Sequence, residues 1–271
     1  MRVRYFIPVI LLLALLAFFA LLLNLQYFNI TELVFEGNKI YQDSTLIKDT
    51  NLKTNENGFK QLFDQGGKLY LFRYSKEEEH LKNIFPYIKD IRITYQVPDT
   101  ISYVIEERNA IFYTAYLGTY LVLDHEGTVL EVSESAPDKD LILLSGISFT
   151  TFKTGKKLDL ENTNKLDTAA VTFNAIKKAD DKGTYIEEFL PLVEEISFAD
   201  KKNIHMMLKN KIMAIIPADD NITYNINSLL DIYFKSLQVK GNGVLDFTGT
   251  NPVFTPITGQ KQETSSATTQ G

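Results

Sequence analysis

The sequence contains no cysteine. The chain can therefore form no disulfide framework, thiol nucleophile or thiolate metal site. It also lacks any charged side chain between Tyr5 and Leu25, where fifteen of the residues are Leu, Ile, Val or Phe. As an α-helix this run would measure about 31 Å, the hydrocarbon thickness of a bilayer. The absence of charge thus predicts a transmembrane helix over residues 5–25.

A cleaved signal peptide is the rival interpretation of this segment. Signal peptides have a shorter apolar core followed by a small-x-small cleavage site, and the residues that follow here, NLQYF, contain no such pair. Arg2 and Arg4 precede the span, and no Lys or Arg follows it until Lys39. The positive-inside rule therefore predicts a retained anchor, with residues 1–4 in the cytoplasm and the rest of the chain outside the plasma membrane.

The part of the chain beyond the anchor is acidic. Taking Arg2 and Arg4 from the 28 basic residues leaves 26, against 34 acidic residues, a formal net charge of −8. A charge of this sign disfavours nucleic acid and anionic lipid headgroups as partners.

Motifs that carry chemistry are also missing. The sequence has no His-Glu-x-x-His, Gly-x-Ser-x-Gly, Ser-x-x-Lys or phosphate-cradling glycine loop. Its three histidines, His80, His125 and His205, have ordinary structural interpretations, and Asp219 with Asp220 is more typical of a solvated loop than of a cation site. A glycosidase-like pair of carboxylates stays open, because such pairs meet only in the fold. No catalytic residue, metal or cofactor is predicted.

Residues 28–108 show the order strand, helix, helix, strand, strand. The first strand (28–36) ends at Gly37, and a short helix capped by Asp43 precedes a polar loop over 51–58. A second helix begins at Ser75, which with Glu78 forms the pattern of a capping box. Pro86 ends it.

The clearest pattern follows that helix. Apolar and polar residues alternate over 91–97 and again over 101–105, separated by the turn Pro98–Thr100. This spacing predicts two antiparallel strands, each with one buried face, in a small sheet with both helices on one side.

The run PYIKDIRITYQVPDTISYVIEER, residues 86–108, resembles the end of the POTRA (polypeptide transport associated) domain of the FtsQ/DivIB family of bacterial cell-division proteins. The matching positions include Pro86, Pro98, Thr100, Glu107 and Arg108, and Gly37 after the first strand matches as well. Tyr95, where that family often has a basic residue, is expected at a surface or turn position.

The second domain begins with YLVLDHEGTVLEV, in which Asp124 and Gly127 also resemble the family pattern. Strands are predicted over 120–123, 128–132, 141–144, 193–198, 204–209, 211–216 and 243–247, with helices over 162–178 and from Ile226 to Gly241. The resemblance and these patterns together imply an α+β fold. Its parts are a transmembrane helix (5–25), a βααββ POTRA domain (28–108), a larger mixed β domain with two helices (109–254) and a disordered tail (255–271).

The resemblance implies a non-catalytic scaffold of the cell-division machinery. Such proteins recruit other division proteins at the septum, notably two small single-span coiled-coil proteins, through the POTRA and β domains. The physical route would be β-augmentation, in which a partner strand pairs with an exposed sheet edge. The last predicted strand precedes a polar tail that cannot cover it, so the edge is expected at Val244, Leu245, Asp246, Phe247 and Thr248.

Two other functions are compatible with the sequence. A POTRA-bearing export or assembly component would usually carry several POTRA copies and a membrane barrel, whereas one copy is visible here. A signal-anchored cell-wall enzyme would need a pair of converging carboxylates. Release of fragments from peptidoglycan by the purified protein would distinguish that enzyme from a scaffold.

Overall fold

The computed structural model describes residues 3–65, 69–137, 140–161, 164–238 and 240–257. The chain divides into two compact units, Met1–Asn109 and Ala110–Gly271. Both units combine helices with a sheet, so the fold is α+β as predicted.

The N-terminal helix α1 spans Val3–Asn24. Its stretch Phe6–Asn24 has a mean hydropathy of 3.1 and buries none of its residues within the protein. Pro8 lies near the start of the helix, where it removes few backbone hydrogen bonds. The helix predicted from the uncharged run is confirmed, and its length and composition suit it to cross a bilayer once.

The first unit continues as β1, three helices, β2 and β3. The elements are β1 Glu32–Glu36, α2 Asp43–Asp49, α3 Gly58–Asp64, α4 Ser75–Ile84, β2 Ile88–Gln96 and β3 Thr100–Glu107. The sheet order is β1-β3-β2, with β1 parallel and β2 antiparallel to β3. Helix α3 was not predicted, because the polar run over residues 51–58 was interpreted as a loop. The N-cap residue Asn57, whose side chain accepts the backbone N–H of Lys60, is the signal that could have indicated this helix.

Two predicted helix caps are wrong. Ser75 is the first residue of α4, and its hydroxyl has no hydrogen-bond partner among the residues that the structure describes. Glu78 instead accepts hydrogen bonds from Arg73 Nε at 2.6 Å and from the backbone N–H of Ile93 at 2.9 Å. Asp43 is likewise inside α2, where its carboxylate accepts from the Asn38 amide. The carboxylates of Glu78 and Asp43, which the sequence predicted to cap helices, instead accept hydrogen bonds from other partners.

Tyr95 is a core residue of the first unit and lies neither at the surface nor in a turn, so that expectation is wrong. Its side chain is 3% exposed, and its hydroxyl donates to the backbone carbonyls of Pro98 and Phe28. Burial raises the pKa of this phenol to about 12.

The second unit is built on one nine-stranded sheet. Its strands are β4 Phe112–Tyr116, β5 Thr119–Leu123, β6 Val129–Ser133, β7 Ile142–Ser145, β8 Val193–Ser197, β9 Asn203–Leu208, β10 Ile212–Pro217, β11 Gly243–Asp246 and β12 Val253–Pro256. They are arranged in the order β12-β11-β10-β9-β8-β7-β4-β5-β6. Helix α5 spans Asn164–Asp181, and α6 spans Ile222–Ile232 and continues as a π-helical turn over Tyr233–Leu237.

Strands β4 and β12 were not predicted. Residues 255–271 were expected to form a disordered tail, but Thr255 and Pro256 belong to β12. The rest of that tail, from residue 258, lies outside the described residues, as do the first two residues of the helix predicted to begin at residue 162. The two predicted helices of the second domain are confirmed.

The core of the second unit lies between the sheet and its two helices. Alternate residues are buried along β9 and β10, as Ile204, Met206 and Leu208 are in β9. They form one cluster with the apolar stripes of α5 and α6. The apolar residues that alternate along the strands thus pack against the apolar stripes that recur every 3.6 residues along the helices.

Candidate protein-interaction surface

The edge of the nine-stranded sheet is β12, which lies beside β11. The two strands pair antiparallel over four residue pairs, from Gly243 opposite Pro256 to Asp246 opposite Val253. On its other side β11 pairs in parallel with β10. The segment Val244–Thr248 is therefore not an exposed edge, and this part of the sequence-based prediction is wrong. Strand β12 is short and contains proline, so its local pattern does not predict a strand.

The five residues of that predicted edge have separate roles. Leu245 and Phe247 are buried in the core, at 1% and 6% exposure, so their side chains are not available to a partner. Val244 is half-buried within the sheet. Asp246 and Thr248 form the turn that leads from β11 towards β12.

The Asp246 carboxylate fixes this turn. Its Oδ1 accepts the backbone N–H of Thr248 at 2.7 Å. The backbone and side-chain hydrogen bonds from Thr248 hold the pKa of Asp246 below its usual value. The turn is therefore best stabilised when this carboxylate is ionised.

The pairing pattern shows which backbone groups of β12 point outward. The backbone N–H of Ile257 donates to Asn242 O at 3.0 Å, so residues 242 and 257 are a hydrogen-bonded pair. Hydrogen-bonded and non-hydrogen-bonded pairs alternate along antiparallel strands. Phe254 and Pro256, opposite Leu245 and Gly243, therefore turn their main-chain groups away from β11.

Proline sharply limits what this edge offers to a partner. Pro256 has no N–H, and Pro252 precedes the strand. The outward side of β12 thus presents one donor, the N–H of Phe254, together with the carbonyls of Phe254 and Pro256. Prolines at an edge strand discourage indiscriminate pairing. A partner strand must place a carbonyl opposite Phe254, which fixes its register.

Gly243 allows β12 to lie close against β11. A Cβ atom at this position would be 2.4 Å from Cζ of Phe254 and 2.9 Å from the carbonyl oxygen of Thr255. The Phe254 ring is half-buried against the main core, whereas Val253 is 58% exposed. One ring over one glycine therefore anchors an otherwise exposed edge strand.

The opposite edge of the same sheet, β6, is partly covered. The backbone N–H of Val129 donates to Lys156 O at 3.0 Å, and that of Gly155 donates to Val129 O at 2.7 Å. In the first unit, the backbone N–H of Tyr95 on β2 similarly donates to Phe72 O at 2.7 Å.

Two of the family-motif residues in the first unit hold the same loop. Gly37 has φ +88°, and a Cβ atom there would lie 2.1 Å from the carbonyl oxygen of Ile105. Glu107 accepts the backbone N–H groups of Lys39, Ile40 and Tyr41 at 2.7, 2.8 and 3.2 Å. The glycine and the glutamate thus fix the chain as it leaves β1.

The other motif residues in the first unit lie at strand ends. Pro86 follows α4, Pro98 lies in the β2–β3 turn after a cis peptide bond, and Thr100 begins β3. The backbone N–H of Arg108 donates to Tyr87 O at 2.6 Å.

The two motif residues of the second unit shape the β5–β6 turn. Asp124 is 1% exposed, and its Oδ1 accepts the backbone N–H groups of Glu126 and Thr128 at 2.9 and 2.8 Å. Gly127 has φ +84° and lies against the side chain of Leu166. These contacts explain why the β5–β6 turn has an aspartate at residue 124 and a glycine at residue 127.

The described residues show no cluster of histidines and carboxylates able to hold a metal ion. His80 Nε2 lies 3.2 Å from the Asp49 carbonyl, and the His125 ring lies 5.6 Å from that of Phe173. His205 Nε2 lies 3.8 Å from Asp200. Asp219, weighed above as a cation ligand, accepts the backbone N–H of Asn221 at 2.8 Å.

These observations define a class: a protein with one apolar N-terminal helix suited to span a membrane, a small α+β unit and a large β-rich unit. Comparisons with known proteins find relatives that are named cell division proteins. The chain is 24% identical over 241 residues to the cell division protein DivIB of Clostridium acetobutylicum, covering 86% of this chain and 85% of that protein. It is 25% identical over 243 residues to DivIB of Clostridium botulinum strain Hall, covering 86% and 84%.

These relatives confirm the resemblance to FtsQ/DivIB proteins, and their names describe cell division and no enzymatic activity. The chain is thus similar to DivIB cell division proteins over most of its length. Among solved structures, it is similar to the major extracytoplasmic domain of DivIB from Geobacillus stearothermophilus, with 15% identity, a TM-score of 0.29, and coverage of 49% of this chain and 98% of that domain. No family model matches the sequence.

Proposed function

We propose that this protein is a non-catalytic, single-span scaffold of the bacterial cell-division machinery. Its N-terminus lies in the cytoplasm, and both folded units lie outside the plasma membrane at the septum. The names of its relatives and the single apolar helix support this assignment. Arg2 and Arg4, before the span, support the orientation.

The scaffold binds its partners by β-augmentation at the outer side of β12. The partners are small single-span coiled-coil division proteins, whose extracytoplasmic ends supply the added strand. The observation that carries this proposal is the edge strand β12 with one outward donor, the N–H of Phe254. The additional strand would extend the existing sheet and gain main-chain hydrogen bonds.

The binding test removes that donor alone. In Phe254→Pro the outward N–H is lost, while the N–H groups of Val253 and Thr255 that face β11 remain. Phe254→Ala also removes the ring but keeps the N–H, and serves as the matched control. Full-length protein in detergent is assayed for capture of the purified coiled-coil partners. Both variants lose the ring that holds β12 against Gly243, so both should bind more weakly than the unmodified protein. We expect Phe254→Pro, which also loses the outward N–H, to bind at least tenfold more weakly than Phe254→Ala. Equal capture by both variants would refute the edge proposal.

The orientation can be tested because the chain has no cysteine of its own. Val3→Cys lies before the span, and Tyr224→Cys replaces a side chain that is 73% exposed in the second unit. A membrane-impermeant maleimide applied to intact protoplasts should label Tyr224→Cys and should label Val3→Cys only after permeabilisation. The reverse result would place the folded units in the cytoplasm.

A further inference from the structure

A second surface lies where α1 meets the rest of the first unit. The last turns of α1 and the helix α3 enclose an open groove of about 440 Å³ whose lining residues are all apolar or aromatic. Phe19 and Leu23 line it from α1, and Phe63, Tyr70 and Phe72 line it from the other side. The groove is continuous with the outward surface of α1, where Phe18, Phe19 and Leu21 are 56%, 42% and 58% exposed.

One buried amide joins the two walls of this groove. Asn57, 7% exposed, donates from Nδ2 to the carbonyls of Leu22 and Leu25 at 2.9 and 3.2 Å. Its Oδ1 accepts the backbone N–H of Lys60 at 3.1 Å and so caps α3. The end of α1 and the beginning of α3 therefore share one residue, which fixes the height of α3 along α1.

That height brings the C-terminal end of α3 level with the apolar part of α1. The rings of Phe19 and Phe63 are in edge contact, with centroids 6.5 Å apart. Phe19 lies five residues before Asn24, the end of the apolar span, which at the helical rise is about 7.5 Å deeper along the helix axis. Side chains of interfacial helices reach a similar depth, about 5–10 Å into the headgroup and acyl boundary.

The side chains at this level suit a lipid environment. Phe63, Tyr70, Leu71 and Phe72 are 43%, 79%, 48% and 40% exposed, an unusual concentration of large apolar surface. Aromatic residues concentrate at bilayer interfaces, where their rings lie at headgroup level. Their charged neighbours Lys60 and Asp64 are exposed, as groups that reach the headgroup layer would be.

We propose that lipid acyl chains of the leaflet on the C-terminal side of α1 occupy this groove. Phe63, Tyr70, Leu71 and Phe72 enter that leaflet and seat the first unit directly on the bilayer. The unit is thereby held at a fixed height and tilt, and does not swing on a flexible tether. The proposal rests on the proposed function only in requiring that α1 crosses the membrane.

The absence of tryptophan from the chain makes the test direct. Single-tryptophan variants Phe63→Trp and Tyr70→Trp of the full chain are placed in nanodiscs with one copy per disc. The lipids carry bromine, a fluorescence quencher, either near the top of the acyl chains or near their ends. We expect at least twofold quenching of both variants by the shallow bromines, with weaker quenching by the deep ones.

Two matched variants separate the possible outcomes. Leu13→Trp, in the middle of α1, should be quenched most by the deep bromines; its failure would show that α1 is not inserted and would refute the anchor as well. Ile186→Trp, at a fully exposed position in the second unit, should not be quenched. If Leu13→Trp is quenched while Phe63→Trp and Tyr70→Trp are not, the lipid proposal alone is overturned. Disulfide cross-linking between copies carrying Phe63→Cys would then identify a second copy as the occupant.

Discussion

The carboxylate of Glu107, at the end of β3, accepts the backbone N–H of Lys39 at 2.7 Å, across 68 residues of chain. The same carboxylate also accepts the N–H groups of Ile40 and Tyr41. Because three donors converge on one side chain, Glu107→Ala should lower the free energy of unfolding of the first unit by about 2–4 kcal/mol. Glu107→Gln keeps one carbonyl acceptor and should cost about half as much. Chemical denaturation followed by hydrogen exchange in the first unit would measure both losses. A Glu107→Gln variant as stable as the unmodified protein, beside a destabilised Glu107→Ala, would show that the side chain acts only through packing.

Gly37 tests the other half of the same loop. In Gly37→Ala the Cβ atom would lie 2.1 Å from the carbonyl oxygen of Ile105, and the alanine would have to adopt a left-handed φ. The free energy of unfolding of the first unit should therefore fall by about 3–5 kcal/mol. Gly118→Ala is the matched control, since Gly118 has φ +86° with no atom within 4 Å of the added Cβ. It should cost the second unit only the conformational term, about 1–2 kcal/mol. Hydrogen-exchange mass spectrometry resolves the two units, and a similar loss in both variants would contradict the predicted overlap at Ile105.

The stability of the turn after β11 should fall at acidic pH. The folded pKa of Asp246 is depressed, so its contribution to stability is complete well above the usual carboxyl pKa and is lost as the pH falls through the lower folded value. An NMR titration should therefore show the Thr248 amide moving below about pH 4 with a midpoint under the ordinary aspartate value. Asp246→Asn retains an oxygen acceptor without a charge and should abolish this transition. A midpoint at or above the ordinary value would contradict the assigned hydrogen bond.

Gly243 should control the attachment of β12. Gly243→Ala adds a Cβ atom 2.4 Å from the Phe254 ring, so the ring must leave its place and β12 should loosen. We expect at least tenfold faster amide exchange at Thr255 and Ile257, with β9 unchanged. In the Phe254→Ala background, where the overlap with the ring is absent, Gly243→Ala should accelerate exchange at these two amides much less. An equal acceleration in both backgrounds would show that the ring contact is not the cause.

Local sequence patterns predicted much of the secondary structure. The alternation over residues 91–105 gave β2 and β3, and the stripe through Ile226, Leu229 and Leu230 gave α6, because each pattern follows the period of its element. The patterns missed α3 and β12, which are short. They also misassigned Glu78, whose partners Arg73 and Ile93 reach it through the tertiary fold.

The sequence predicted only part of the candidate interaction surface. The sequence indicated that the last part of the second domain holds a sheet edge, because a short apolar strand there precedes a polar tail. It could not indicate which strand is outermost. Strand order depends on pairings between distant segments, and β12 is held by the ring of Phe254 packing on Gly243.

The sequence by itself determined the membrane-spanning helix and the absence of thiol chemistry, since both follow from composition and one-dimensional periodicity. It also indicated the α+β class, because segments with the two-residue period of strands occur among segments with the 3.6-residue period of helices. The tertiary structure alone decided that β12 covers β11, that Glu107 holds the loop after Gly37, and that Phe63 lies beside Phe19 within the apolar span. These are contacts between residues far apart in the chain, and their existence depends on the packing of the whole fold.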